Sequence, residues 1–478
     1  MSKYNFALQK PKVEEKIYKY DLDKELEYKL HVQFPTGKKV LTYKPHTSEM
    51  FDNGHPIPLT GINSWYNPQK FDDWKVGTPD KPVGKVDKPR VVKIQMGLKC
   101  NYACSYCNQA SQVPNSIQGN PQDAHDWLDN LDNWFKGDGN KVRWEFWGGE
   151  PLVYIKVLRV LVEGLRKRFP KAEFNMITNA SMMTEEIVDW LVEMGMQVGI
   201  SHDGHVYDQQ RGDDILKDPK IAKVVRYAYD KLFPLGRIGF NCVLTVKNYS
   251  FKKVRKHIGD LIGISEYDIP LTSEEIMLPY DSGGMMLSPT LPHEQREMLD
   301  VLFEETSSGG LMGVSTVYDK LDDFFKSLIY KRPSKSMGQK CGMDDPKTIA
   351  VDLKNNVMTC QNTNSQLEKH NIGSTDNISA IEMKLNHHHT TRAECVRCPV
   401  VQMCKGACLF LENQYWEKAC DVSYHYNTAL FATAIFILTG GLLIEIEGTP
   451  RRDTMTDRFR VVSDEMVKIF EERGVNAN

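Results

Sequence analysis

The stretch Cys100-Asn101-Tyr102-Ala103-Cys104-Ser105-Tyr106-Cys107 constrains this chain more than any other. Its three cysteines stand at C-x3-C-x2-C, directly after the apolar run Val91-Val92-Lys93-Ile94-Gln95-Met96. Three thiolates on so short a loop can hold three irons of a cubic iron–sulfur cluster and leave the fourth iron open to a small molecule. Zinc sites and electron-transfer clusters usually take four protein ligands. Zinc loops also cluster cysteines, so this loop alone leaves both metals open.

The chain has 478 residues, room for about three domains of ~150 residues. Its net charge of −3 carries no polyanion signal, so no nucleic-acid partner is expected. The opening Met1-Ser2-Lys3-Tyr4-Asn5-Phe6 leads into charge rather than a secretory signal, and a cytoplasmic location is expected. Eleven cysteines then point to metal rather than disulfides. Ten of them fall in two groups, 100–107 and 341–420; Cys242 stands alone in an apolar run and reads as core. The apolar segment Ala429 to Leu438 breaks at Thr439-Gly440-Gly441, short of the ~20 residues a spanning helix needs. It reads as a buried helix, and no membrane partner is expected.

Residues 1–90 read as an irregular extension, either a packing arm or a substrate-recognition element. Asp21 to Val32 suits a short helix or strand, and Thr78 to Gly84 a linker. From residue 91 the pattern alternates. Strands are expected at 91–96, 142–147, 173–178, 196–201, 237–245 and 274–279. Helices are expected at 122–135, 152–168, 184–194, 218–232 and 251–262. Six β/α alternations imply parallel strands with right-handed crossovers, hence an open α/β barrel of (β/α)6, TIM-like type over 91–285. Active sites of such barrels lie at the C-terminal strand ends, where the cysteine loop falls. A helical linker (286–335), a small cysteine-rich α+β domain (336–425) and a C-terminal helical segment (426–478) follow.

Polar residues collect at the same strand ends: Gly148-Gly149-Glu150-Pro151, Thr178-Asn179, Ser201-His202-Asp203-Gly204, and Asn241. Two glycines allow close approach of a backbone, and the glutamate offers an acceptor. An ordinary strand-to-helix turn with proline at its start gives the same letters. His202 and His205 flank Asp203, and histidine carries protons near neutral pH, although loop histidines are commonly structural. His387-His388-His389 reads as a solvated loop.

The later cysteines read Cys341, Cys360, Cys395-x2-Cys398-x5-Cys404-x3-Cys408 and Cys420. Between the first two, 349–359 has the pattern of a β-hairpin turning at Asn355-Asn356, which tolerate positive φ. Such a hairpin brings Cys341 and Cys360 towards each other.

Together these motifs resemble the radical S-adenosylmethionine (SAM) superfamily with a C-terminal SPASM domain, the twin-cluster extension of peptide and protein maturases. The resemblance covers about 91–425, with Asn355 where that domain has glycine. It implies that Cys100, Cys104 and Cys107 hold a four-iron–four-sulfur (4Fe–4S) cluster whose open iron chelates SAM. Tyr106, Gly148, Gly149, Glu150, Thr178, Asn179, Ser201, Asp203 and Asn241 would contact SAM. Cys341, Cys360 and Cys408 would hold a first auxiliary cluster, with no fourth cysteine recognised. Cys395, Cys398, Cys404 and Cys420 would hold a second. The implied chemistry is reductive cleavage of SAM to a 5′-deoxyadenosyl radical, fed by a flavodoxin or ferredoxin. That radical would then abstract hydrogen from a peptide or protein, leading to crosslink, thioether, epimerised or oxidised products. Asp203 and His202 are the candidate catalytic groups. Dehydrogenation or rearrangement of a small molecule such as a sugar or nucleoside is an alternative, as is a zinc-binding adaptor. Within the resemblance, sulfatase maturation is disfavoured: Gln361 follows Cys360 where that group has an aspartate base, and a neutral amide has no basicity to offer.

Overall fold

A computed structural model describes residues 26–59, 71–72, 74–77, 82–275, 287–309, 313–383 and 387–475. The strands run β1 (Tyr28–Phe34), β2 (Gly37–Lys44), β3 (Glu49–Asp52), β4 (His55–Pro56) and β5 (Val83–Gly84). Six more follow at β6 (Val91–Gln95), β7 (Arg143–Trp147), β8 (Glu173–Thr178), β9 (Met196–Ser201), β10 (Ile238–Leu244) and β11 (Leu271–Glu275). Then come β12 (Thr348–Asp352), β13 (Asn356–Met358), β14 (Asn371–Ser374), β15 (Glu382–Met383), β16 (Leu442–Gly448) and β17 (Arg458–Arg460).

Strands β6 to β11 lie side by side in chain order, all parallel, as the alternation predicts. The sixth strand starts three residues earlier than expected; of the expected 274–279, residues 276–279 lie outside the described residues. Each strand splits its residues by period two. Val92, Ile94, Trp144, Phe146, Phe174, Met176, Val198, Ile200 and Phe240 form one buried face. The helices Pro121–Trp134, Ile155–Arg168, Glu185–Glu193, Pro219–Leu232 and Phe251–Ile262 cover it, and their apolar residues join the same core. Full burial of each such large side chain contributes about 1.5–3 kcal/mol. Register puts Lys93, Glu145, Asn175, Gln197, Gly199 and Gly239 side by side on the opposite face. That inner face is mostly polar or small, with Trp147, Ile177 and Val243 among its large apolar members, as suits a barrel that holds a ligand rather than a core.

The barrel stays open because β12 adds to β6 in parallel, Thr348 beside Val91 through Asp352 beside Gln95. Strands β13 and β14 continue the sheet antiparallel, making nine strands in all. The expected hairpin is present, and Asn355 takes φ 63° at its turn. The helices Pro292–Ser307 and Ser315–Tyr330 occupy the linker region.

The chain ends depart from expectation. Residues 28–56 are not irregular: β1 to β4 form an antiparallel sheet, and β16 and β17 complete it in the order β17-β16-β1-β2-β3-β4. The C-terminal segment is accordingly not all helix. Strand β16 pairs with β1 through Tyr28–Gly448 to Gln33–Leu442, with a bulge at His31/Val32. The Leu-Ile-Glu-Ile-Glu alternation from Leu443 is the signal for it. The apolar segment lies in the helix Asn413–Thr439, which ends on Gly440 at φ 70°; no helix among the described residues is long and apolar enough to cross a membrane.

Candidate active site

The loop carrying Cys100, Cys104 and Cys107 leaves the end of β6 and is held from three sides. From β7, Gly149 N donates to Gly97 O and Glu150 N to Lys99 O, both at 3.0 Å. An added Cβ on Gly149 would land on the carbonyl oxygens of Leu98 and Lys99, and one on Gly148 would come within 2.7 Å of Gly97 O. The two glycines therefore admit the cysteine loop itself. From β8, Asn179 Nδ2 donates to Asn101 Oδ1 at 2.9 Å, and Asn101 Nδ2 to Ser181 Oγ at 2.7 Å. From beyond β9, Gln210 O accepts from Ser105 N at 2.8 Å.

Glu150 is almost fully buried. Its Oε1 accepts from Thr178 Oγ1 at 2.5 Å and Leu152 N at 3.0 Å, and its Oε2 from Asn179 N at 2.7 Å. Burial pushes its carboxyl up, against these donors, which pull it down. Glu150 is thus a tie between the ends of β7 and β8. Glu150→Gln is expected to face an amide N–H against one of those donors. It should lower folding stability by about 1.5–3 kcal/mol, besides any loss in SAM affinity. Chemical unfolding of the metal-free chain checks this.

Asp203 is fully buried after β9. Its Oδ2 accepts from Tyr106 Oη at 2.5 Å and Arg211 Nε at 2.8 Å, and its Oδ1 from Val243 N at 3.0 Å and Arg211 Nη2 at 3.3 Å. Burial alone would pull the Arg211 guanidinium down; the Asp203 carboxylate first, with Tyr106 and Cys104 beside it, pushes it up. Arg211 also lies 5.4 Å from the Tyr106 ring centre. Asp203 is a locked counter-ion rather than a free base. His202, also fully buried, accepts from Gly204 N through Nδ1 at 3.1 Å and meets Asp214 Oδ1 through Nε2 at 2.9 Å. His257 takes the other Asp214 oxygen at 2.8 Å. Both nitrogens of His202 are committed, and burial pulls its pKa down, so the proton-carrier expectation finds no free nitrogen. Ser201 and Asn241 sit opposite each other in register, and Gly199 leaves room for the Asn241 side chain.

The later cysteines fall in two neighbourhoods, Cys341 near Cys360 and Cys408, and Cys395 near Cys398, Cys404 and Cys420. Cys395, Cys398, Cys404 and Cys420 line one small cavity. Burial pushes the Cys341 thiol up to about 12 and those of Cys104, Cys404 and Cys408 to about 11. The donors are all thiols, three at Cys100, Cys104 and Cys107 and seven over 341–420, a set whose chemistry fits iron–sulfur clusters.

Three parts of the site lay beyond sequence reading. Arg211, eight residues after Asp203, had no motif to mark it. His388 and His389 are buried, not solvated: His388 Nε2 meets Asp344 Oδ2 at 3.2 Å, and burial pushes His389 down to about 3. Gln95 Nε2 donates to Gln361 O at 2.8 Å and Thr363 O at 2.7 Å, tying the segment after Cys360 to the barrel.

Residues 94–241 match the sequence model of the radical SAM superfamily. The radical SAM cyclopropyl synthase TigE of Paramaledivibacter caminithermalis is 22% identical over 362 residues, 70% of this chain and 72% of that protein. An uncharacterized protein of Methanocaldococcus jannaschii is 27% identical over 122 residues, 25% of this chain; the match spans only 40% of that relative's length. Native anSMEcpe with bound AdoMet shares the fold at TM-score 0.53 and 19% identity, covering 73% of this chain and 99% of that one. With its cysteine loop at the first strand end of an open parallel barrel, and with residues 94–241 matched by sequence, this chain carries a radical SAM domain.

Proposed function

We propose that this chain is a radical SAM enzyme that abstracts hydrogen from a peptide or protein side chain, and that it carries two auxiliary 4Fe–4S clusters on residues 341–420. One observation carries the reading. Strand β12 pairs with β6, so the hairpin that ends at Cys360 runs beside the strand that ends at the Cys100 loop. Both cysteine groups thus border one sheet, the Cys100 loop after the C-terminal end of β6 and Cys341 and Cys360 toward the N-terminal end of β12, and Gln95 ties the segment after Cys360 to the barrel. When bound, the first cluster and SAM supply a 5′-deoxyadenosyl radical; an auxiliary cluster supplies a one-electron store.

The chain's own residues hold and orient. Cys100, Cys104 and Cys107 ligate the first cluster, and Gly148 and Gly149 let its loop close on β7. Tyr106 and Asp203 form one wall of the SAM pocket, braced by Arg211. Glu150, Thr178 and Asn179 fix the adjoining strand ends, with Ser201 and Asn241 beyond them. Cys341, Cys360 and Cys408 hold the first auxiliary cluster, and Cys395, Cys398, Cys404 and Cys420 the second. A peptide suits the reading because anSMEcpe has also been solved with AdoMet and a peptide. A flavodoxin or ferredoxin would deliver the electron.

The test is anaerobic incubation of the reconstituted chain with SAM, reductant and a short peptide encoded beside its gene. Release of 5′-deoxyadenosine together with a mass change in the peptide supports the proposal. Release of 5′-deoxyadenosine that no such peptide stimulates, with every peptide unchanged, counts against it.

A further inference from the structure

The four-cysteine cavity has a cationic wall. Arg451, on the loop after β16, is 6% exposed and lines the cavity beside Cys395, Cys398, Cys404 and Cys420. Its Nη1 donates to Cys420 Sγ at 3.1 Å and its Nη2 to Asp421 Oδ1 at 3.1 Å. The guanidinium lies 3.8 Å from the centre of the Tyr424 ring. Arg392, the other buried arginine nearby, stacks on Trp416 at 3.6 Å and donates to the carbonyls of Leu411 and Cys408 rather than to sulfur.

The arm that delivers Arg451 is the sheet made by the two chain ends. Strand β1 holds β16 in register, and Gly448 packs against the Tyr28 ring. Tyr28 Oη lies 2.8 Å from the carbonyl of Arg397, between Cys395 and Cys398, and 3.1 Å from that of Thr449. The terminal sheet thus grips the cysteine cage and sets a guanidinium against it.

Cluster potentials depend on net charge, hydrogen bonds to the sulfurs and exposure. Reduction adds one negative charge to a group already ringed by thiolates. A buried cation that donates to one of those sulfurs stabilises the reduced form more than the oxidised one, and low surrounding polarity strengthens the effect. We infer that Arg451 is a positioning residue that raises the reduction potential of a cluster held by Cys395, Cys398, Cys404 and Cys420, favouring its role as a one-electron acceptor. This rests on the auxiliary-cluster reading above.

The experiment is an EPR-monitored redox titration of the full chain, reconstituted anaerobically, with iron content measured alongside. Iron in wild type tests the cluster reading; the potential shift tests Arg451. Arg451→Gln is expected to make one of the three clusters harder to reduce by tenfold or more, a shift of about 59 mV for a one-electron couple. Arg451→Lys keeps the charge without the fork and should shift the same cluster by less. The other two clusters should keep their midpoints. Arg451→Gln with full iron and unmoved midpoints would overturn the inference. If the Gln variant loses that cluster's iron, Arg451→Lys decides: a downward shift at full iron supports the inference, and an unmoved midpoint refutes it.

Discussion

Gly149→Val is expected to strip iron from the Cys100 loop and end SAM cleavage while leaving most of the fold in place. The atoms an added side chain would meet are the backbone oxygens of Leu98 and Lys99, which cannot swing aside as a side chain would. Lys99 directly precedes Cys100, so the collision moves the first ligand. It also breaks the two backbone hydrogen bonds from Gly149 and Glu150 to Gly97 and Lys99. Overpacking of this kind costs about 1–3 kcal/mol, and each lost hydrogen bond about 0.5–1.5 kcal/mol. The reconstituted variant should lose roughly four irons relative to wild type, one cubane's worth. Gly236→Asn is the control: Gly236 sits at φ 65° with nothing near its missing Cβ, and asparagine tolerates that conformation. Full iron and normal 5′-deoxyadenosine release in Gly149→Val would mean that this turn does not support the loop.

Asp203→Ala is expected to unfold the C-terminal side of the barrel mouth rather than merely slow a chemical step. The carboxylate takes four hydrogen bonds, two of them from Arg211, whose side chain is 9% exposed. Removing one partner of a buried ion pair leaves the other charge uncompensated, at a cost of about 3–5 kcal/mol. Urea unfolding of the metal-free chain should show a clearly lower midpoint for Asp203→Ala and a smaller drop for Asp203→Asn. A base acting only on substrate would leave the midpoint in place and abolish turnover; that outcome would restore the catalytic reading of Asp203.

The difference between those two readings of Asp203 marks how far the sequence could be read. The cysteines were legible because their spacing is local: a loop at a strand end and a hairpin need only neighbouring residues. The barrel was legible because each strand's apolar face and each helix's stripe repeat within a dozen residues. Strand β11 was misplaced because Leu271-Thr-Ser-Glu-Glu275 has little apolar signal, while the next few residues have more. Strand β1 was left ambiguous because its partner lies over 400 residues on, at β16. Arg211 and Arg451 gave no signal for the same reason: an arginine's partner is set by the fold, not by period. His388 and His389 read as solvated because their neighbours in sequence are polar, yet Asp344 and Ser334, met only after folding, bury them.

The most direct test of the account is iron stoichiometry in the wild-type chain and in Cys100/Cys104/Cys107→Ala, both reconstituted anaerobically and assayed for 5′-deoxyadenosine. Three cubanes require about twelve irons in wild type and about eight in the triple variant, which should release no 5′-deoxyadenosine. An iron content that the three substitutions leave unchanged, or stoichiometric zinc in place of iron, would contradict it.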